Sequence, residues 1–305
     1  LGDVYKRQHF YQVDCGKLSG LSMLGYGSLS GSYAGVWDTR GPSFHIDSKV
    51  ERLNIHQGNV KDMKVAMTYE TGKLDVMATV ENEQMQGGVL LAYDLSDSLN
   101  FLSTRGQLRI DELAAFGLDI KGGQEALETS FEIIHAGQEN KSFTNLSLTD
   151  FKYTCDTATF TIDKISMEDN QKGDHNTTTL KSDVVDLFIS GNFRELRPAP
   201  FVFRLMQNYL PAYSVHQPKK TRKYPKRKEP EKFDFQYTVQ VKDAGRILQV
   251  LYPDLYIASG TLITSDYRNE TGQLRLRLTT DSIGYEDISL LHSKIDLVGD
   301  MQRLD

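Results

Sequence analysis

The sequence predicts a mainly β protein, antiparallel and elongated, with only a few short helices. Three observations predict it. Apolar and polar residues alternate with a period of two along most of the chain, turn-forming residues interrupt that alternation at short spacing, and part of the pattern returns after 230 residues. The plainest stretch is GQLRLRLTT, Gly272 to Thr280. In an extended chain, Leu274, Leu276 and Leu278 fall on one side, and Arg275, Arg277 and Thr279 on the other.

Taken in chain order, Phe44 and Ile46 alternate, then Val65, Met67 and Tyr69, then Leu74, Val76, Ala78 and Val80. The period returns at Ala158, Phe160 and Ile162, at Val185, Leu187 and Ile189, and at Tyr237, Val239 and Val241. Gly58–Asn59, Thr71–Gly72, Gly87–Gly88, Gly122–Gly123, Gly191–Asn192 and Asn269 to Gly272 punctuate these runs as hairpin signals do. Helical spacing is rare. Val202, Leu205, Met206, Tyr209 and Leu210 predict an amphipathic helix over Phe201–Leu210, stopped by Pro211. Ile247, Leu248 and Leu251 predict a second short helix, opened near Asp243 and ended before Pro253. DELAAFG, Asp111 to Gly117, reads as one or two capped turns. Three short helices cannot cover a sheet of this extent.

An offset of 230 residues places Phe44 on Leu274, Ile46 on Leu276, Leu53 on Ile283 and Ile55 on Tyr285. It continues without a gap to Val60 on Leu290, Val65 on Ile295 and Met67 on Leu297. Upstream, GSLSGSY (Gly27 to Tyr33) resembles GTLITSDY (Gly260 to Tyr267) with one residue of slippage. A period of two matches itself at every even shift, so the Gly-x-Leu…Tyr lead-in is what favours true repetition. Stacked repeats of one unit make an elongated architecture.

Between Pro218 and Lys232, eight Lys or Arg residues stand against two Glu, among three prolines. This run reads as a solvated, extended loop. The functional alternative is contact with anionic lipid head groups through Lys219, Lys220, Arg222, Lys223, Lys226, Arg227 and Lys228, at about 1 kcal/mol per basic residue near a charged surface.

Composition narrows the function. A net charge of −6 over 305 residues gives no case for a nucleic-acid partner. No apolar run reaches the roughly 18 residues of a membrane-spanning helix. Cys15 and Cys155 are too few for a disulfide scaffold or a thiolate metal site, and whether they pair is left open. The seven histidines are scattered, with no His-x-x-x-His pair and no cysteine at ligand spacing. GYGSLSGSYAG (Gly25 to Gly35) lacks the Gly-Lys-Ser/Thr ending of a phosphate loop, so its glycines read as turn residues. Asp281, Glu286 and Asp287 sit where surface charges sit, and nothing singles out a catalytic pair. The expectation is a non-enzyme without cofactor or metal.

The chain begins at Leu1 rather than Met and stops at Asp305 after a strand pattern, which reads as an internal piece of a longer protein. LGDVYKRQ, Leu1 to Gln8, can be encoded by a sequence resembling a transposon end used in preparing sequencing libraries. We treat residues 1–8 as a sequencing scar, a hypothesis that an independent long-read sequence of the locus carrying the same octapeptide would sink.

The stretch from Phe233 to Leu297 resembles the repeating unit of TamB-type proteins of the AsmA-like superfamily. In that unit a strand leads to a short D…L…P.L helix, then I..G.L…Y, then alternating strands closing on L..S.IDL.G. The matching landmarks are Val239 to Val241, Asp243, Leu251, Pro253, Leu255, Ile257, Gly260, Leu262, Tyr267, Ser293, Ile295, Asp296, Leu297 and Gly299. LKSDVVDLFISGNF, Leu180 to Phe193, resembles the closing strand of a preceding unit. The resemblance is one of cadence and landmarks, and carries no catalytic signature.

The resemblance implies a protein of the periplasm and cell envelope, anchored in the inner membrane by a segment outside this chain. It implies a long, curled β-groove with a hydrophobic concave face. It implies phospholipid acyl chains as cargo, with roles in lipid transport and outer-membrane biogenesis, and an outer-membrane β-barrel assembly partner. On this reading residues 9–198 form a first groove unit, 199–232 carry the amphipathic helix and basic loop, and 233–305 begin a second, truncated unit.

The groove-lining candidates are Phe44, Ile46, Val65, Met67, Phe160, Ile162, Leu187, Ile189, Val239, Val241, Leu274, Leu276 and Leu278. The alternative is a β-sandwich, an adhesin-like surface binding module in which the same residues are core.

Overall fold

The computed structural model describes residues 4–20, 22–38, 41–95, 100–118, 120, 122–138, 141–156, 158–192, 234–268, 271 and 273–299. The fold is mainly β: seventeen strands of one antiparallel sheet, with three short helical segments among the described residues. The chain divides into two compact units, residues 1–168 with 246–253, and residues 169–245 with 254–305. The predicted helix over Phe201–Leu210 and the basic run Pro218–Lys232 lie outside the described residues.

In the first unit, successive strands pair as a meander. These are β1 (Val4–Asp14), β2 (Leu24–Asp38), β3 (Gly41–Ile55), β4 (Gly58–Glu70), β5 (Lys73–Glu81), β6 (Met85–Asp94), β7 (Asn100–Ile110), β8 (Glu125–Gln138) and β9 (Lys141–Cys155). Beyond them, β10 (Ala158–Lys172) pairs with β9. The first strand includes Val4–Gln8, the residues set aside as a scar, laid antiparallel on β2.

Tight turns set the register. Thr71 and Gly72 both have positive φ, 51° and 85°, and close the β4–β5 hairpin at the pair Glu70–Lys73. Two such residues match the right-handed twist of the strands they join. A register shift on the β8–β9 ladder falls between Glu128 and Ser130, and Asp150 opposite it has φ 55°. That irregularity exchanges the faces of β9 beyond it.

Two helical predictions hold. DELAAFG forms a 3-10 turn over Leu113–Phe116, closed by Gly117 at φ 74°. The second lies in α2, Gly245–Leu251. An unpredicted turn, α1, spans Cys15–Ser19; the Asp14 side chain accepts from the Lys17 amide at 3.0 Å and Gly20 ends the turn at φ 75°. Cys15 and Cys155 are not bonded to each other.

The second unit contains β11 (His175–Ser182), β12 (Val185–Gly191), β13 (Asp234–Val241), β14 (Leu255–Ile257), β15 (Leu262–Arg268), β16 (Gln273–Tyr285) and β17 (Ile288–Gly299). β11 pairs with β12, β12 with β13, β13 with β15, β15 with β16 and β16 with β17, while β14 also pairs with β16. Ser182 shapes the first hairpin, its hydroxyl oxygen accepting from the Val184 and Val185 amides at 3.2 and 2.9 Å.

The 230-residue offset recurs in the elements themselves. β1 starts at Val4 and β13 at Asp234; α1 starts at Cys15 and α2 at Gly245; β4 starts at Gly58 and β17 at Ile288. β3 ends at Ile55 and β16 at Tyr285. Backbone detail follows: His56 and Glu286 have φ 52° and 50°, and Asp62 and His292 have φ 56° and 44°. One difference explains the slippage in the sequence match. Where β2 runs unbroken, its counterpart splits into β14 and β15 around a turn in which buried Thr261 donates to the Ala258 carbonyl at 2.7 Å.

Candidate functional site

Antiparallel register converts alternation along single strands into rows across several. One row in the first unit runs Phe44, Tyr69, Leu74, Tyr93, Leu102. The next runs Ile46, Met67, Val76, Leu91, Thr104, and a third Ser48, Val65, Ala78, Val89, Gly106. At about 4.8 Å between strands and 3.3 Å per residue, the rows make an apolar surface about 20 Å across the strands and about 13 Å along them. Their side chains are half-buried, and none reaches the closure of a sandwich core.

The opposite face is mixed. His45 lies between Asp47 and Thr68, its Nε2 2.9 Å from the Asp47 carboxylate and its Nδ1 3.0 Å from the Thr68 hydroxyl. Beside it, Ala66, Thr68, Asp75, Met77, Leu90, Ala92, Ser103 and Arg105 line a shallow depression of about 390 Å³. The sequence reading did not anticipate it, because Leu90 and Ala92 sit in VLLAY, where apolar residues occupy both faces of β6.

The apolar face has two unlike margins. At one, the 3-10 turn folds against the strand ends. Val60, Ile110, Leu113 and Phe116 are buried there, and the Gln57 amide donates to the Ala115 carbonyl at 3.0 Å. Gly58 is required at this point, since a Cβ on it would lie 2.6 Å from the Phe116 ring. Nearby in register, the Tyr153 hydroxyl donates to Glu125 Oε1 at 2.7 Å, and Glu125 also accepts from the Gly122 and Ile120 amides at 3.0 and 2.9 Å. Burial, reinforced by the hydrogen bond to Glu125 and its charge, pushes the Tyr153 phenol above its ordinary range. Phe160 packs 5.2 Å from Tyr153 and 6.1 Å from Phe151.

The other margin is aromatic and, among the described residues, open. The Phe44 ring stacks on Tyr69 at 5.1 Å and lies 6.2 Å from Tyr33. Tyr33 starts one row further in, but its hydroxyl lies over Gly35, where a Cβ would be 2.5 Å away. Gly35 pairs with Phe44, so the Tyr33 hydroxyl joins the row of Tyr69 and Tyr93. Among the described residues, none of these three hydroxyls has a hydrogen-bond partner.

In the second unit one row runs Leu187, Val239, Ile263, Leu278, Ile295, and another Ile189, Tyr237, Ser265, Leu276, Leu297. Phe235, Tyr267 and Leu274 make a third, while Val241 pairs with Val185. Ile189, Phe235 and Tyr267 form a buried cluster against which Leu187, Tyr237 and Leu274 pack. Burial pushes the Tyr237 and Tyr267 phenols upward. On the reverse face, Asp296 accepts from Arg275 and Arg277 at 3.0 and 3.1 Å, and these hydrogen bonds, Arg275's foremost, hold its carboxyl below the usual range.

Register thus places Phe44, Ile46, Val65 and Met67 on one face of the first unit, and Leu187, Ile189, Val239, Val241, Leu274, Leu276 and Leu278 on one face of the second. Phe44, Ile46, Val65, Met67, Leu187, Val239, Leu274, Leu276 and Leu278 are half-buried. Phe160, Ile162, Ile189 and Val241 are buried. Tyr69, Leu74, Val76, Leu91 and Tyr93 belong to the same surface and were absent from the candidate set. Among the described residues, no helix is long and apolar enough to cross a membrane, and no group of three or more His, Cys, Asp or Glu is arranged to hold a metal.

No protein-family model, curated protein or solved structure matches the chain.

Proposed function

We propose that this chain is a segment of a TamB-type, AsmA-like envelope protein, and that it shelters lipid acyl chains on its apolar sheet face. The observation that carries the reading is the set of cross-strand rows centred on Met67, Val76 and Leu91, which stay half-buried. An apolar surface of this extent is comparable with the largest patch on an ordinary monomer, a feature that is often functional. A lipid tail would cover it: at about 25 cal/mol per Å² withdrawn from water, one chain stabilises the complex by several kcal/mol. The resemblance supplies the setting, which is phospholipid transport and outer-membrane biogenesis in the periplasm, with the inner-membrane anchor on another part of the polypeptide. A β-barrel assembly protein of the outer membrane is the partner that setting implies. A sandwich-based surface module would bury the same rows between two sheets.

The test is direct. The chain is expressed in the periplasm of a double-membraned host, purified, extracted with organic solvent and assayed for lipid by mass spectrometry, beside a β-sandwich handled identically. Near-stoichiometric phospholipid, absent from the control, is expected. In Leu276→Asp and Met67→Asp, which place a charge on the apolar faces, recovery should fall at least tenfold while circular dichroism stays β-rich. Lipid-free wild-type protein, or variants that retain lipid, would overturn the proposal.

A further inference from the structure

We propose that the open margin is a polar-head subsite, where the hydroxyls of Tyr33, Tyr69 and Tyr93, spaced two strands apart, each offer a hydrogen bond to the ester oxygens of glycerolipids whose tails lie along the strands. The proposal rests on the lipid-binding reading above and adds the orientation and chemical class of the ligand.

Burial is graded along the strands. On β4, Val60 is 2% exposed at the closed margin, whereas Met63, Val65, Met67 and Tyr69 are half-buried towards the open one. β7 repeats the gradient from buried Ile110 to half-buried Leu102. A ligand tail can therefore be covered most completely at the 3-10 turn, and its polar end belongs at the aromatic margin. Met63 to Tyr69 spans about 20 Å at 3.3 Å per residue, the reach of one long acyl chain.

The margin selects the head. Tyr69 and Tyr93 are separated by one strand, about 10 Å, with Leu74 between them. An uncharged phenol donates one hydrogen bond, and these three have no described partner to receive it. Among the described residues, a cation next to this row is Lys73, which lies 3.6 Å from the Asp94 carboxylate. Uncharged donors beside an apolar surface suit carbonyl oxygens at the junction of tail and head better than a bare phosphate.

The probes are 1-palmitoyl-lysophosphatidylcholine and its 1-hexadecyl ether analogue, which keeps the tail and phosphocholine but lacks the carbonyl. Wild-type protein should bind the ester about tenfold more tightly than the ether, as one or two hydrogen bonds allow. In Tyr33→Phe/Tyr69→Phe/Tyr93→Phe that preference should vanish, the variant holding both lipids at the ether's affinity. Equal wild-type affinity for the two lipids, or an ester preference that survives in the variant, overturns the subsite and leaves the sheltering reading intact. Failure of wild-type protein to bind either lipid overturns both. The single Tyr33→Phe, Tyr69→Phe and Tyr93→Phe proteins, measured alongside, keep the question open to refutation if the triple variant does not fold.

Discussion

Tyr153 shows how one side chain ties burial, hydrogen bonding and pH together. It is fully buried, donates to a carboxylate, and its phenol is held neutral beyond the usual range. A phenol with an ordinary value near 10 in the unfolded chain and a higher one in the fold stabilises the fold below about pH 10, and that contribution is lost as pH rises beyond it. The unfolding midpoint should therefore drop between pH 8 and pH 11. Tyr153→Phe should start lower at pH 8, by about 1–3 kcal/mol for the weakened Glu125 cluster, and then lose less across the same interval. Identical losses in the two proteins would remove Tyr153 as a cause. A residual slope is expected in the variant, because Tyr237 and Tyr267 are shifted the same way. None of this is legible in KYTC, where Tyr153 looks like any strand aromatic. The signal needed is Glu125, distant in sequence and brought close by the β8–β9 ladder.

At the level of elements, the 230-residue offset places one motif in two surroundings. β4 is paired on both sides, by β3 and β5, whereas the described ladder of β17 runs to β16. Equivalent side chains differ accordingly: Val60 is 2% exposed and Leu290 42%. Backbone amides that lack a ladder partner open to solvent at low cost. In native-state hydrogen exchange of the full chain, alternate amides of β17 should exchange at least tenfold faster than their counterparts in β4. Equal protection would show that β17 has a second partner. Element type was readable where alternation was clean, as in KLDVMATVE for β5 and QLRLRL for β16. It was obscured in β6, apolar on both faces, and in β9, where a register shift exchanges the faces partway along. A bulge inverts the period without leaving a mark in composition.

For the molecule as a whole, the half-buried face makes stability depend on what occupies it. A ligand that binds only the folded chain adds RT ln(1 + [L]/Kd), about 2.7 kcal/mol at one hundred times Kd. If acyl chains are that ligand, the thermal midpoint of delipidated protein should climb steadily with the logarithm of lysolipid concentration, and Met67→Asp should flatten the climb. A midpoint indifferent to lipid in the wild type would contradict occupancy of the face.

A period of two, broken by glycine and asparagine, is enough to state that the chain is antiparallel β and which side of each strand is oily, because side-chain direction alternates by covalent geometry alone. That much the residues settle without help. Whether an oily side chain is sealed in or left half-open depends on which residues stand opposite it, and those come from distant sequence. Phe160, Ile162, Ile189 and Val241 follow the same alternation as Met67 and Leu276, yet the first four are buried and the last two are not. The closed margin at Phe116 and the hydroxyl margin at Tyr33, Tyr69 and Tyr93 are likewise products of register. Pairing between strands is what turns a pattern along a chain into a surface.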